Sequence, residues 1–240
     1  MSVRRTLTLM IAGAAASAFV ALHRLGLTAG STRDERVEMM PGEDVVRDPQ
    51  VVATHAATLP APPDQVWPWL VQVGWHRGGW YTPRWVDVLL FPQNRPSADH
   101  VHAELQALSV GDVIPDGPPE AECGFIVREV VPAERLILES TSHLPLAWRR
   151  SGRARLHWTW VFTLTPVDAG RSTRLVFRWR ARTAPWWLTL GAHAFVVPAD
   201  FVMSRGMLRG LRRRVSVPGS LPSGSHRHPH GAAQGSVADP

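Results

Sequence analysis

Residues that could carry out acid–base chemistry are dispersed along the 240-residue chain without a recognisable catalytic spacing. All 26 basic residues are arginines, so chemistry that needs a lysine, such as Schiff-base formation or a lysine-linked cofactor, is excluded. No Gly-x-Ser-x-Gly elbow, His-Glu-x-x-His pair or dinucleotide fingerprint occurs. Catalysis by a single His or Asp in an apolar pocket stays open, with the catalytic residue unknown. The candidates are His76, Asp87, Asp99, His100, His102, Glu104, Asp112, His143, His157 and His193.

Two histidine-rich stretches resemble metal sites at first sight. His100, His102 and Glu104 alternate along the chain, but the surrounding NRPSADHVHAEL predicts a solvated loop entering a short helix. A metal site needs a rigid element and supporting partners. The histidine triplet within 226–230 lies in a flexible tail without carboxylate support, and Cys123, the only cysteine, permits no intrachain disulfide. The sequence therefore predicts no metal site and no cofactor.

Aromatic residues form the second set with an informative spacing. The stretch WPWLVQVGWHRGGWY, residues 67–81, contains four of the eleven tryptophans and the only tyrosine, and it ends beside two glycines. Its first part predicts a helix that ends at Gly74, which puts Trp80, Tyr81 and Trp85 on a glycine-bearing loop. Such a loop at a cavity mouth can form a mobile wall of a ligand site. Alternatively, these aromatic side chains plug the open end of a sheet.

The elements that would position these residues begin with a β-hairpin. Apolar and polar residues alternate in HWTWVFTL, residues 157–164, and again in TRLVFRWRAR, residues 173–182, after a turn at DAGRS. This period of two predicts an antiparallel pair with one buried and one solvated face. The predicted buried face carries Trp158, Trp160, Phe162, Leu164, Leu175, Phe177 and Trp179. The predicted solvated face carries Arg174, Arg178, Arg180 and Arg182.

Further strands are predicted at 51–59, 125–131 and 135–140, the last two as a hairpin. Residues 62–74 predict a helix, with prolines at its start and a glycine at its end. A last helix is predicted from Pro198 to about Val215, and the tryptophan face of the hairpin is the available partner for its apolar face. That face combines Phe201, Met203, Ser204, Met207, Leu208, Leu211 and Val215.

Four stretches of this domain resemble the bacterial SRPBCC, or START-like, proteins, which are often described as polyketide cyclase/dehydrase-like. They begin with PGEDVVRDPQVVATHAATLPAPPDQVWPWLVQVGWHRGGWY and continue with LSVGDVIPDGP, TRLVFRWRAR and PADFVMSRGMLRGLRRR, so that the resemblance covers residues 40–215. The resemblance implies an α+β helix-grip fold, in which a curved antiparallel sheet wraps around a long C-terminal helix and encloses an apolar cavity. It implies a cavity for lipids, sterols or polyketides more directly than it implies an activity.

Both ends of the chain differ from this domain. Arg4 and Arg5 precede an apolar run from Leu7 to Leu22, which predicts an N-terminal membrane anchor; the small residues at 16–18 keep open a cleaved signal peptide and a secreted protein. We assign residues 1–29 to this segment, 30–215 to the START-like domain and 216–240 to a disordered tail. Apart from the cluster at 212–214 the arginines are scattered and not interleaved with aromatics, so no nucleic acid is expected as a partner.

Three functions remain open from the sequence. The favoured one is membrane-associated binding of a hydrophobic small molecule, lipid- or polyketide-like, between the sheet and the last helix, with membrane lipids contacting the N-terminal segment. The alternatives are a cyclase- or dehydratase-type enzyme on a polyketide-like substrate, and a structural or partner-binding module with a filled core. The ligand-binding candidates are Trp80, Tyr81, Trp85, Trp158, Trp160, Phe177, Trp179, Met203, Ser204 and Met207.

Overall fold

A six-stranded antiparallel sheet forms the centre of the protein. The computed structural model describes residues 3–90 and 92–217, so most of the predicted tail, with its histidine triplet, lies outside the described residues. Along the sheet the strands follow the order β1-β6-β5-β4-β3-β2. The strands are β1 (Val51–Leu59), β2 (Val113–Pro115), β3 (Gly124–Val131), β4 (Arg135–Ser140), β5 (Arg155–Val167) and β6 (Ser172–Ala184). All but β2 match a predicted strand; β2 is too short to show an alternation.

Helices pack on both faces and at one end of this sheet. They are α1 (Val3–Thr28), α2 (Arg33–Val37), α3 (Pro63–Val71), α4 (Arg84–Leu90), α5 (Leu146–Arg150), α6 (Trp186–Gly191) and α7 (Val197–Val215). A π-helical segment, Ala192–Val196, joins α6 to α7 into one run of 30 residues. The predicted helix from Pro198 to about Val215 corresponds to α7, but the helical run begins further back, at Trp186. A proline inside a helix clashes with the preceding turn, and the wider π turn directly before Pro198 accommodates it.

The register of the β5–β6 hairpin places the large apolar side chains on one face. Trp160 pairs with Trp179, and Phe162 pairs with Phe177. These side chains share one buried cluster with Leu211 of α7. The predicted packing of the tryptophan face against the last helix is confirmed, and so is the α+β helix-grip class.

The opposite face of the hairpin is not solvated as predicted. Arg178 is only 2% exposed and donates to the carbonyl oxygen of Glu38 at 2.8 Å and to the carboxylate of Glu43. Arg180 also donates to Glu43, and Arg174 forms a two-pronged ion pair with Glu35, at 2.7 and 2.8 Å. The prediction of solvated arginines is therefore wrong for these three, because α2 and the following loop cover the outer face.

Arg182 alone among the four arginines of this face fits the prediction, since its side chain is 56% exposed. It lies near the end of β6, where it contacts only the last part of the covering loop, at Arg47 and Asp48.

The N-terminal helix α1 has an exposed part and a packed part. Side chains from Arg4 to Leu22 are exposed, whereas packing begins at His23, whose Nε2 lies 3.1 Å from Nδ1 of His193. A Cβ at Gly26 would lie 1.9 Å from the carbonyl oxygen of Val197, so only glycine allows this approach to α7. The last turns of α1 thus belong to the folded domain.

Candidate functional site

One end of the sheet collects the residues of the candidate site. β2 and β4 both run antiparallel to β3, so their carboxyl ends lie beside the start of β3. The start of β5 and the end of β6 meet at the same end, because Arg155 pairs with Ala184. Since α5 precedes β5 and α6 follows β6, both short helices lie there too.

A small cavity, which we call the inner cavity, lies between the tryptophan face of the sheet and α7. Its volume is about 60 Å³, room for one or two water molecules at about 30 Å³ each in the liquid. It is lined by Trp80, Thr82, Asp116, Trp158, Trp160, Phe177, Asp200, Met203, Ser204 and Met207. Most of the predicted ligand-binding residues therefore meet at this cavity.

The remaining three candidates lie elsewhere. Trp85 is on α4 with 60% of its surface exposed, and Trp179 lines the neighbouring pocket described next. Tyr81 is fully buried, and its hydroxyl donates to the carbonyl oxygen of Trp69 at 2.7 Å. Burial raises the pKa of the Tyr81 hydroxyl above its usual value of 10.0. Tyr81 is thus a neutral core residue that supports the loop.

A larger apolar cavity, which we call the outer pocket, adjoins the inner cavity at Trp158, a residue that lines both. Its volume is about 250 Å³. Trp148 of α5 and Trp187 of α6 meet edge to face across it, with ring centroids 5.2 Å apart. The lining residues are His143, Leu144, Trp148, Leu156, Trp158, Trp179, Ala181, Thr183, Trp187, Leu188, Gly191, Ala192 and Val196.

The glycine loop packs closely against α7 and places Trp80 in the lining of the inner cavity. Gly74 and Gly79 form an isolated β-bridge and have φ angles of 125° and 73°, which glycine adopts without strain. On α7, a Cβ at Gly210 would lie 2.0 Å from the carbonyl oxygen of Tyr81. This close approach of loop and helix fixes Trp80, 3% exposed, against the inner cavity.

A hydrogen-bond network centred on Asp200 forms the floor of the inner cavity. Oδ2 of Asp200 accepts from the indole N–H of Trp179 at 2.8 Å and lies 2.6 Å from Nε2 of His55. Its Oδ1 accepts from the hydroxyl of Ser204 at 2.8 Å. Ser204 is therefore a donor to a buried carboxylate as well as the small residue that leaves room for the cavity.

A chain of hydrogen bonds that the sequence analysis missed links Ser140, His143 and Asp116. Nε2 of His143 lies 2.9 Å from Oδ2 of Asp116, and Nδ1 of His143 lies 2.6 Å from Oγ of Ser140. Asp116 lines the inner cavity and His143 lines the outer pocket. Ser140 is 2% exposed and also accepts from the backbone N–H of Ser142, so its hydroxyl is enclosed. This arrangement can hold a proton at His143, beside the outer pocket.

The other acid–base candidates line neither cavity. The ring centroids of His100 and His102 lie 4.3 Å apart with the rings tilted by 46°, and the two histidines pair with the neighbouring Asp99 and Glu104 on an exposed loop. Within 3–90 and 92–217, no group of three metal-ligating side chains occurs. His157 pairs with Glu139, 2.5 Å apart.

Comparisons with known proteins concern the fold. No protein-family model and no curated protein matches the chain. A solved structure from Helicobacter pylori is 10% identical, with a TM-score of 0.42, and covers 74% of this chain and 95% of its own. The protein CV1439 from Chromobacterium violaceum is 15% identical, with a TM-score of 0.39 over 69% and 97% of the two chains.

A third similar structure, the Aha1 dimer from Colwellia psychrerythraea, is 17% identical, with a TM-score of 0.35, and the match covers 65% of this chain and 93% of that one. The chain has the fold expected from the START-like resemblance. At these identities the similarity concerns the fold alone, because one fold serves many functions.

Proposed function

We propose that the domain binds a hydrophobic small molecule whose body lies in the outer pocket. The observation that carries this proposal is a cavity of about 250 Å³ enclosed mainly by tryptophan and aliphatic side chains. Small-molecule sites are mostly apolar with a few placed polar groups and measure about 300–1,000 Å³. With the inner cavity adjoining at Trp158, the available space reaches the lower end of that range.

A filled core is the competing interpretation. The outer pocket is partly open to solvent, and Gly191 on its wall would accept a Cβ with no atom within 4 Å. The protein's own side chains thus leave an apolar concavity unfilled, which favours a binding site over a filled core.

The N-terminal helix supports a second part of the proposal, attachment to a membrane. The exposed part of α1, the 19 residues from Arg4 to Leu22, extends about 29 Å at 1.5 Å per residue, close to a hydrocarbon core of about 30 Å. Next to it, joined through His23 and His193, the α6 region exposes the apolar residues Trp186, Leu190 and Phe195. An apolar ligand could then enter the outer pocket from the lipid phase.

A cleaved signal peptide remains the alternative for α1, since cleavage at 16–18 would leave the packed turns from His23 in place. N-terminal sequencing of the mature protein distinguishes the two. A start at Met1 or Ser2, with retention on membranes in high salt, supports the anchor; a start near Phe19 supports secretion.

The pairing of His143 with Asp116 favours one alternative function, acid–base catalysis on the bound molecule. Histidine is the commonest general base, and a carboxylate that contacts its other nitrogen orients the ring. Here the ring borders the outer pocket, but Asp116 and Ser140 engage its two nitrogens, so proton exchange with a ligand requires one of these contacts to open. A cyclisation or dehydration of a polyketide-like ligand would need such a group.

Extraction of the purified full-length protein, followed by mass spectrometry, tests ligand binding directly. We expect an apolar molecule in near-stoichiometric amount, lost on Gly191→Phe, which fills the outer pocket. Leu190→Phe is the matched control, because Leu190 is exposed and adjacent in sequence. If the wild type carries nothing and binds no fluorescent apolar probe, the binding proposal is wrong.

A further inference from the structure

Four buried polar atoms around the inner cavity have no hydrogen-bond partner among residues 3–90 and 92–217. They are the indole Nε1 atoms of Trp80, Trp158 and Trp160 and the Oδ1 atom of Asp116. All four residues line the inner cavity. Buried polar atoms in native proteins are nearly always paired, so this concentration around one cavity calls for a partner inside it.

The three indoles form one continuous cluster. The ring centroids of Trp80 and Trp160 are 5.2 Å apart, and those of Trp158 and Trp160 are 5.4 Å apart, both pairs edge to face. Trp80 and Trp160 are 3% and 8% exposed, so their N–H groups have no access to bulk solvent. Three unpartnered indole N–H groups therefore belong to side chains of the cavity lining, and an occupant that reaches them would accept a hydrogen bond.

Asp116 adds an acceptor to these donors. Its Oδ2 is held by Nε2 of His143 at 2.9 Å, which leaves Oδ1 free. Whichever of these two groups carries the shared proton, Oδ1 keeps its lone pairs and accepts. An occupant that satisfies the whole set must both donate and accept a hydrogen bond.

The charges around the cavity limit which chemical groups can occupy it. Asp200 is a second carboxylate in its lining, and its two oxygens are already engaged by His55, Trp179 and Ser204. A ligand carboxylate would satisfy the indole donors but would face two acidic side chains. An ammonium group would satisfy Asp116 and leave the indoles unpaired, because indole N–H only donates. A hydroxyl group donates and accepts without a charge.

We propose that the ligand is an apolar molecule ending in a hydroxyl group, with the hydroxyl in the inner cavity and the apolar body in the outer pocket. This inference rests on the proposed binding function and names the chemical class of its ligand. The hydroxyl donates to Oδ1 of Asp116 and accepts from an indole N–H of Trp80 or Trp160. Trp158 lines both cavities, so the two compartments are adjacent and share this wall.

A displacement assay on the full-length protein in a sugar-headgroup detergent tests the inference. A fluorescent apolar probe is displaced by four molecules of equal chain length: 1-decanol, decanoic acid, decylamine and decane. We expect 1-decanol to displace the probe at concentrations about tenfold lower than the other three, the ratio expected for one or two net hydrogen bonds.

Two variants assign the preference to the cavity. Asp116→Leu and Trp80→Phe should each reduce the preference for decanol over decane by about threefold to tenfold while leaving decane binding unchanged. Trp69→Phe is the matched control, because Trp69 also has a buried, unpartnered Nε1 but does not line the cavity. It should leave the preference intact.

The remaining outcomes separate the two proposals. Equal displacement by all four molecules, or a preference for decanoic acid or decylamine, overturns the hydroxyl inference while the binding function stands. Retention of the alcohol preference in both cavity variants also overturns it, since water would then satisfy these atoms. Failure of the wild type to bind the probe at all overturns both proposals.

Discussion

Nε2 of His55 lies 2.6 Å from Oδ2 of Asp200, although 145 positions separate the two residues. His55 is on β1 and Asp200 is in the first turn of α7, so the contact fastens the C-terminal helix to the sheet. Trp179, on the neighbouring strand β6, donates to the same oxygen. One buried carboxylate thus joins the helix to two adjacent strands beside the inner cavity.

Removing this carboxylate should destabilise the protein strongly. Asp200→Leu leaves three buried donors, on His55, Trp179 and Ser204, without their acceptor. We expect a loss of about 3–5 kcal/mol in the free energy of unfolding, measured by urea denaturation. Asp200→Asn keeps an acceptor oxygen and should lose less. The exposed Arg209→Leu is the control, and an Asp200→Leu protein as stable as that control would contradict the role given to Asp200.

Substitutions at Gly191 should separate stability from binding. Gly191 ends α6 with helical backbone angles and open space around its Cβ position. Gly191→Ala should therefore stabilise the protein by about 0.5–1 kcal/mol, because alanine favours helix over glycine. Gly191→Phe should abolish binding of an apolar probe while the melting temperature stays near that of the wild type. If Gly191→Phe lost much stability but still bound the probe, the side chain at position 191 would not enter the outer pocket.

The ion pair beneath α2 should show strong coupling. Glu43 pairs with Arg178, whose side chain is 3% exposed, and also with Arg180. Glu43→Ala leaves Arg178 buried without its carboxylate partner. We expect this change to lower the free energy of unfolding by about 3–5 kcal/mol. Arg178→Met combined with Glu43→Ala should cost clearly less than the sum of the single changes, as measured in a double-mutant cycle. Additive single effects would show that the pair is not coupled.

Acid should loosen the same covering segment. Hydrogen bonds from Arg174, the largest influence, lower the pKa of Glu35 below its usual value of 4.5. A carboxyl whose pKa is lower in the folded state adds stability above its unfolded pKa and loses it as the pH falls through the folded pKa. We therefore expect stability to fall from about pH 4.5 downward. The free energy of unfolding of Glu35→Gln should be lower than that of the wild type at pH 7 and should fall less between pH 5 and pH 3. If the free energies of unfolding of the two proteins fall in parallel with pH, Glu35 does not contribute to the acid sensitivity.

The single thiol should react slowly. Burial, and secondarily the charge of Asp116, raises the pKa of Cys123 to about 11. At pH 8 the reactive thiolate is therefore scarce. We expect reaction with a disulfide reagent to be far slower in the folded protein than in urea, and to accelerate as the pH approaches 11. Equal rates in native and unfolded protein would contradict the assigned environment.

The sequence predicted the buried side of the sheet because that side depends on a local rule. Alternation in two neighbouring strands was sufficient to place Trp160, Phe162 and Phe177 on one face, and the helical period of α7 supplied its partner. The cover on the other face obeys no such rule. Glu35 and Glu43 lie in a short helix and a loop without apolar periodicity, and they meet arginines about 140 positions further along the chain.

The candidate site was predictable only in part, for a similar reason. Trp158, Met203 and Ser204 could be assigned from the faces of their elements. Asp116 and His143 follow the ends of β2 and β4, and only the strand order brings those two ends together. The outer pocket depends on α6, which the apparent helix start at Pro198 concealed.

The π-helical segment before α7 fixes the rotational phase of α6. Each residue of an α-helix advances the chain by about 100° around the axis. A π turn closes on the fifth residue and an α turn on the fourth, so the segment Ala192–Val196 absorbs one extra residue. If the same residues formed an ordinary α-helix instead, everything before them would be rotated relative to α7 by about that angle. Trp187 and Leu188 would then leave the pocket wall. The widened turn therefore keeps α6 in phase with α7 although the chain between them is one residue longer than a regular helix allows.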